Sequence, residues 1–332
     1  MSVPYGRSWN VECFSTIEMS SNVGNTLKEA NMKILTADQV KLGFIGMGAM
    51  GSRMARRLLD HGYNLTVYDR DHSKAEGMLP YGASIADNFV ALASATDVIL
   101  SCLTDDAAVQ SVYTGSKGLM AVAPRGTIVL EASTVSPKTS RALHALGADR
   151  GIEVMDVAIS GSTPAVERGT LVLLVGGNAE VFQAAEPIFQ ALAVRRFLMG
   201  PSGSGTSMKL VVNTLLGVGM QAIAEAVALG EAGGLDRQRL LEVLAQTAVV
   251  APAHLGKLTT AEREDYSPQF AVGLMNKDFR LILESADTLN RPMPSTTAAF
   301  QVNSEALKAD PEADFSSVIR QMEKFAGASV SR

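Results

Sequence analysis

Three glycines at Gly46-x-Gly48-x-x-Gly51, directly after the apolar run Val40-Lys41-Leu42-Gly43-Phe44-Ile45, restrict this chain more than any other feature. The stretch behind them, Ser52-Arg53-Met54-Ala55-Arg56-Arg57-Leu58-Leu59, reads as a helix. Strand, glycine turn and helix in that order form the geometry that a dinucleotide pyrophosphate needs. Gly46 permits the tight turn, Gly48 lets the backbone approach the phosphates, and Gly51 lets the helix pack on the strand. The helix N-terminus supplies free N–H groups and the positive end of its dipole. The plain alternative is a glycine-rich turn in an ordinary βα unit; the correctly placed flanks favour the nucleotide. On this reading Gly46, Met47, Gly48, Ala49, Met50 and Gly51 are cofactor-binding.

The βα pattern then repeats. Residues 64–68 form a second strand that runs into Asp69-Arg70. An acidic residue about 20 positions past the glycines accepts hydrogen bonds from the ribose hydroxyls of NAD, whereas an arginine there can hold the 2′-phosphate of NADP. Asp69 and Arg70 are therefore both cofactor candidates, and the carboxylate tilts the expectation towards NAD. Residues 97–103, 126–131, 152–156 and 171–175 read as further strands, nearly continuous in apolar character, as in a sheet buried on both faces. Ligands of such sheets sit at the carboxyl ends of the strands. That directs attention to the loops 46–51, 103–106 (with Leu103 and Thr104 as cofactor-binding candidates), 132–135 and 157–164.

After Gly200-Pro201-Ser202-Gly203-Ser204-Gly205 the character changes. Residues 206–232 read as one long helix rich in Ala, Leu, Val and Met, and everything from there to Ala326 reads as helix with short breaks. The expected fold is an α/β Rossmann-type doubly wound sheet followed by an all-α C-terminal domain. A length of 332 residues agrees with about two domains. The expected boundaries are a poorly ordered extension over 1–39, a dinucleotide-binding domain over 40–200, and a helical domain over 201–328 that begins with the long interdomain helix. The extension has no signal-peptide core, and Glu12, Glu18 and Glu29 argue against a transit peptide. Met32 is a candidate natural start.

A second group of residues carries chemistry. Lys209 and Asn213 stand one helical turn apart, so they share a face. Their neighbours Met208, Leu210, Val211, Val212, Leu215 and Leu216 are apolar. A lysine in such a stretch either snorkels at a rim or is placed in a cleft for proton transfer. Asn276-Lys277-Asp278 lies in a later apolar helix and by itself reads as a solvated face. Ile159-Ser160-Gly161-Ser162-Thr163-Pro164 follows a strand; it is either a plain turn or a set of backbone N–H groups for an anion. Ser133-Thr134 also follows a strand and either caps the next helix or faces a ligand.

These pieces together resemble the β-hydroxyacid dehydrogenase family. The resemblance covers residues 40–328. It is carried by the glycine turn, Ala132-Ser133-Thr134-Val135, Ser160-Gly161-Ser162 with Gly169-Thr170-Leu171, Gly205-Thr206-Ser207-Met208-Lys209-Leu210-Val211-Val212-Asn213, and Asn276-Lys277-Asp278. It implies that Lys209 is the catalytic acid and that Asn213 orients substrate. It further implies that Thr134 and Lys277 touch the cofactor, and that Ser133 and Ser160, Gly161 and Ser162 receive a substrate carboxylate. Hydride would pass between nicotinamide and the carbonyl carbon of a small carboxylate-bearing aldehyde. Within the family the motifs look most like the glyoxylate/succinic semialdehyde reductase branch, with 3-hydroxyisobutyrate and tartronate semialdehyde types as alternatives. Three positions depart from the pattern: Ala158 stands where proline is usual, Thr214 where many members have a second asparagine, and Asp69-Arg70-Asp71 where the reductase branch has Asn-Arg-Thr. An imine reductase of the same fold, or a non-catalytic cofactor-binding protein, would lack the lysine, and Lys209 argues against both.

Bulk properties narrow the rest. A net charge of −5 gives no basic field for nucleic acid. The two cysteines, Cys13 and Cys102, and the four histidines have no metal-ligand spacing, so a reducing, cytoplasmic compartment and a metal-free site are expected. No uninterrupted run of about 18 apolar residues exists, so no membrane span is expected. Residues 210–232 are too apolar for one buried stripe, which predicts a homodimer or homotetramer.

Overall fold

The computed structural model describes residues 32–325 and residue 327. Its centre is an eight-stranded sheet in the order β3-β2-β1-β4-β5-β6-β7-β8. The strands are β1 (Lys41–Ile45), β2 (Asn64–Tyr68), β3 (Ser84–Ile85), β4 (Val98–Ser101), β5 (Ile128–Glu131), β6 (Glu153–Ser160), β7 (Leu171–Gly176) and β8 (Ala193–Gly200). Neighbours run parallel except β6 and β7, which are antiparallel. The link between those two is only the short helix Thr163–Arg168 and a turn, less than the dozen or more residues that a parallel crossover usually takes.

The chain turns outward in both directions from β1, so the carboxyl ends of β1 and β4 flank the switch point where such sheets bind ligands. Apolar side chains fill both faces: Phe44, Leu65, Leu130 and Phe189 belong to one core, and Ile99, Val109, Tyr113 and Leu143 to the other. This double burial is why β1, β4 and β5 read as unbroken apolar runs.

Helix Ser204–Ala232 leads out of β8. It packs against β6 and β7 and then against the helices Val272–Thr288, Pro294–Ala309 and Val318–Phe325. Leu210, Met220, Ala224 and Val227 enter a third core with Phe279, Phe315 and Ile319. The helix is long and apolar enough to cross a membrane by length and composition, but one side of it is the axis of this core and carries buried Asn213 and Gln221.

Several details differ from the sequence reading. β3 is a two-residue strand and β8 an exposed edge strand, and neither was expected. β6 continues through Ile159 and Ser160, with Ser160 in register with Val172, and the next helix starts at Thr163, so of the expected anion loop only Gly161 and Ser162 are neither strand nor helix. Most of the expected extension lies outside the described residues. Its last part does not hang free: Leu35 is buried, its N–H donates to the Ala184 carbonyl at 2.9 Å, and the Tyr63 hydroxyl donates to the Leu35 carbonyl at 3.2 Å.

Candidate active site

The glycine turn is built as a phosphate cradle. Gly46 has φ +97°, and a Cβ on Gly51 would collide with the Gly46 carbonyl oxygen. Helix Ala49–Asp60 starts at Gly48 with no side-chain cap and no acidic residue in its first turn. Its first N–H groups are therefore left for an anion, and the space beside Gly48 is open. Asp69 closes the adjacent end of β2. Its Oδ2 accepts from the Met47 N–H at 2.7 Å and its Oδ1 from the Asp71 N–H at 2.9 Å. The carboxylate is thereby held against the turn, with a lone pair left on each oxygen for a ribose hydroxyl. Arg70 beside it is exposed. These residues fit a nicotinamide dinucleotide.

The ends of β4 and β5 are tied together. The Ser133 hydroxyl accepts from the Leu103 N–H at 2.8 Å. The Ser133 N–H in turn donates to Glu131 at 2.9 Å. Ser133 does not cap the next helix; Ser136 does, accepting from the Thr139 N–H at 3.1 Å. Glu131 is buried, and desolvation lifts its carboxyl to about 7 against the hydrogen bonds from Ser133 and Ser101.

From the helical domain, Lys277 reaches back to these loops. Its Nζ donates to the Thr134 carbonyl at 2.7 Å and to the Thr104 carbonyl at 3.2 Å. It also lies 3.0 Å from Asp278 Oδ1. That last approach is an ion pair without hydrogen-bond alignment, because Oδ1 has no aligned donor. An ammonium has three N–H groups, and three protein oxygens surround this one. Lys277 therefore pins the helical part of the chain to the loops that follow β4 and β5.

Lys209 and Asn213 face the same cluster. Asn213 is fully buried, its Nδ2 donates to Asp278 Oδ2 at 2.5 Å, and its Oδ1 has no partner. A carboxylate only accepts, so this contact fixes the amide with its NH2 group towards Asp278. Lys209 is half-buried along its length. Desolvation first, and Lys277 second, bring its ammonium down to about 8 against the pull of Asp278.

The structure thus gathers Lys209, Asn213, Lys277 and Thr134 at the domain junction. Ser160, Gly161 and Ser162 lie along β6 and the start of helix Thr163–Arg168, and no hydrogen bond among the described residues joins them to Lys209 or Asn213. Sequence reasoning gave no role to Asp278 or Glu131. The first signalled itself only as a charged pair inside an apolar helix. A cavity of about 490 Å³ opens beyond Lys277, beside Asp106, Lys138 and Arg280, but neither Lys209 nor Asn213 lines it.

Comparison with known proteins agrees with this architecture. Residues 41–200 match the model of the NAD binding domain of 6-phosphogluconate dehydrogenase. Residues 203–322 match that of the NAD-binding domain of NADP-dependent 3-hydroxyisobutyrate dehydrogenase. An NAD-dependent L-serine dehydrogenase from Pseudomonas aeruginosa is 36% identical over 286 residues, covering 84% of this chain and 96% of that protein. Glyoxylate/succinic semialdehyde reductase 1 from Arabidopsis thaliana is 31% identical, covering 84% of this chain and 97% of the relative. The solved structure of a Mycobacterium tuberculosis 3-hydroxyisobutyrate dehydrogenase with L-serine superposes with a TM-score of 0.78 at 26% identity, over 85% of this chain and 99% of that one. With both halves matched and the relatives aligned along nearly their whole lengths, the chain belongs to the β-hydroxyacid dehydrogenase family of NAD(P)-dependent oxidoreductases.

Proposed function

We propose that this enzyme reduces a small carboxylate-bearing aldehyde of the glyoxylate or succinic semialdehyde type, and oxidises the corresponding hydroxyacid in reverse, with Lys209 as the general acid and base. The observation that carries the reading is the pairing of an ammonium brought to about 8 with a buried asparagine whose carbonyl oxygen has no partner. A general acid works best when its pKa lies near the working pH. When bound, the nicotinamide nucleotide supplies the hydride.

Lys209 gives its proton to the oxygen on which charge develops, and takes it back in the oxidative direction. Asn213 has one amide hydrogen committed to Asp278. The other is free for a carbonyl oxygen, and Oδ1 is free to accept from the hydroxyl of the alcohol. The Gly161 and Ser162 backbone and the Ser133 hydroxyl receive the substrate carboxylate. Lys277 holds the Thr104 and Thr134 loops in place, and with Thr134 it would contact the bound cofactor.

Asp69 supports NAD over NADP. The relatives include an NAD-dependent serine dehydrogenase and a family model described as NADP-dependent, so the preference rests on Asp69 and Arg70. A serine-like hydroxyacid is the second reading, favoured by the orphaned acceptor of Asn213, which would also suit an ammonium donor on the substrate. Initial rates with glyoxylate, succinic semialdehyde, L-serine and 3-hydroxyisobutyrate, each with both cofactors, decide between them. Turnover confined to the two hydroxyacids would overturn the semialdehyde assignment.

A further inference from the structure

One row of the sheet runs Ser101–Glu131–Asp156–Gly176 across β4, β5, β6 and β7. It places two buried carboxylates side by side at the end of the sheet where the site lies. Paired positions on adjacent strands point to the same face, and two carboxylates there are costly unless each has donors. Each does have donors, and they come from different halves of the site.

Glu131 accepts from the Ser133 N–H at 2.9 Å and from the Ser101 hydroxyl at 3.4 Å. Tyr113 in turn donates to the Ser101 hydroxyl oxygen at 2.7 Å. Asp156 serves the long helix. Its Oδ1 accepts from the Gly203 N–H at 2.7 Å, and its Oδ2 from the Thr206 N–H at 2.9 Å and the Thr206 hydroxyl at 3.3 Å. Gly203 is the N-cap of Ser204–Ala232 and has no side chain to offer. Thr206 is the third residue of the helix, whose N–H an N-cap side chain would ordinarily satisfy. Asp156 is therefore a cap supplied from the sheet. A side chain at Gly176 would displace its carboxylate. Its negative charge also sits at the positive end of the helix dipole.

We propose that Glu131 and Asp156 are positioning residues for the reaction. Glu131 sets the Ser133–Thr134 loop, and Asp156 sets the height and rotation of the helix start that carries Lys209, about one turn beyond Thr206. The inference rests on the reading of Lys209 as the proton donor. Neither carboxylate touches substrate; each acts through the backbone it holds.

The test uses Asp156→Asn, Glu131→Leu and Glu131→Gln in the full-length enzyme, with Lys209→Ala as reference. The readouts are kcat and KM for succinic semialdehyde, and NADH and NADPH binding by nicotinamide fluorescence. Asp156→Asn loses one acceptor and should lower kcat about tenfold or more through misplacement of the donor, with cofactor affinity within about twofold of the parent. Glu131→Leu leaves the Ser133 N–H without an acceptor and should raise the substrate KM about tenfold. Glu131→Gln, which keeps an oxygen for that N–H, should restore most of it. If Glu131→Leu does not fold, Glu131→Asp carries the same KM comparison. Variants that melt earlier yet keep kcat and KM within about twofold of the parent would show a purely structural role and overturn the inference. An active Lys209→Ala would instead remove the reading on which it rests, so the two failures are distinct.

Discussion

Asn213 and Asp278, on two different helices, meet through a single hydrogen bond of 2.5 Å, from the asparagine amide to the aspartate Oδ2. That bond decides what the site offers a ligand. With the NH2 end turned towards Asp278, the carbonyl end of Asn213 is left buried and unpaired. A buried acceptor without a partner is costly, typically by about 1–3 kcal/mol, and a hydroxyl or ammonium donor on the ligand removes that cost. Asp278 also raises the basicity of Lys209.

Replacing Asp278 by asparagine should therefore move a pH profile. In the direction of aldehyde reduction Lys209 must be protonated, so kcat holds below about 8 and falls as pH rises through that value. Removing the negative charge disfavours the ammonium and lowers the Lys209 pKa, so the falling limb moves to lower pH. In the oxidative direction the neutral amine is the base, and the rising limb moves the same way. Profiles of kcat against pH in both directions check this, and a limb unmoved by Asp278→Asn would contradict it.

Lys209→Ala should lower kcat by about 10²–10⁴, the usual weight of a positioned acid–base group. Cofactor affinity should hardly change, because the glycine turn and Asp69 stand apart from this helix. Single-turnover rates together with nicotinamide fluorescence separate the two effects. Near-parental kcat would remove Lys209 from the chemistry.

The helical domain should associate with a second copy. Along helix Ser204–Ala232, Val211 is 55% exposed, Leu215 73% and Leu229 75%. Val211 and Leu215 are one turn apart and extend one apolar face. Sedimentation across a wide concentration range should show a dimer or larger, and Leu215→Glu should shift it towards monomer. A monomeric parent at all concentrations would rule this out.

The legible parts of the molecule were those whose signal is local. The glycine turn, the parallel strands β1, β2, β4 and β5, and the pairing of Lys209 with Asn213 each lie within a few residues of sequence. β8 escaped because Arg195 and Arg196 interrupt its apolar pattern on an exposed edge. Asp156 interrupts the apolar run after Met155 and makes the strand read as ending there, yet Val157, Ala158 and Ile159 are buried and carry β6 on to Ser160. The roles of Asp278 and Asp156 depend on partners 65 and 50 residues away, and only the packing of the two domains brings those together. Lys277 read as a solvated side chain on its own, yet only 13% of it is exposed, because it spans the domain junction.

Cofactor preference turns on Asp69 and Arg70. The two backbone N–H groups of Met47 and Asp71 fix the Asp69 carboxylate at the glycine turn, where it would accept from the ribose hydroxyls of a bound NAD. A 2′-phosphate there would bring like charge against it, and like-charge juxtaposition costs several kcal/mol when desolvated. Arg70 is exposed; beside a bound cofactor it would either pair a 2′-phosphate in the bidentate manner that suits arginine or stack on the adenine, which serves both cofactors. If the fixed carboxylate governs, the parent enzyme has the higher kcat/KM with NADH. Asp69→Asn then shifts preference towards NADPH, while also loosening the turn at Met47, which appears as a higher KM for both cofactors. Arg70→Ala should lower kcat/KM for NADPH more than for NADH in either background. A parent that clearly prefers NADPH, and loses that preference in Arg70→Ala, would show that the exposed arginine outweighs the anchored aspartate.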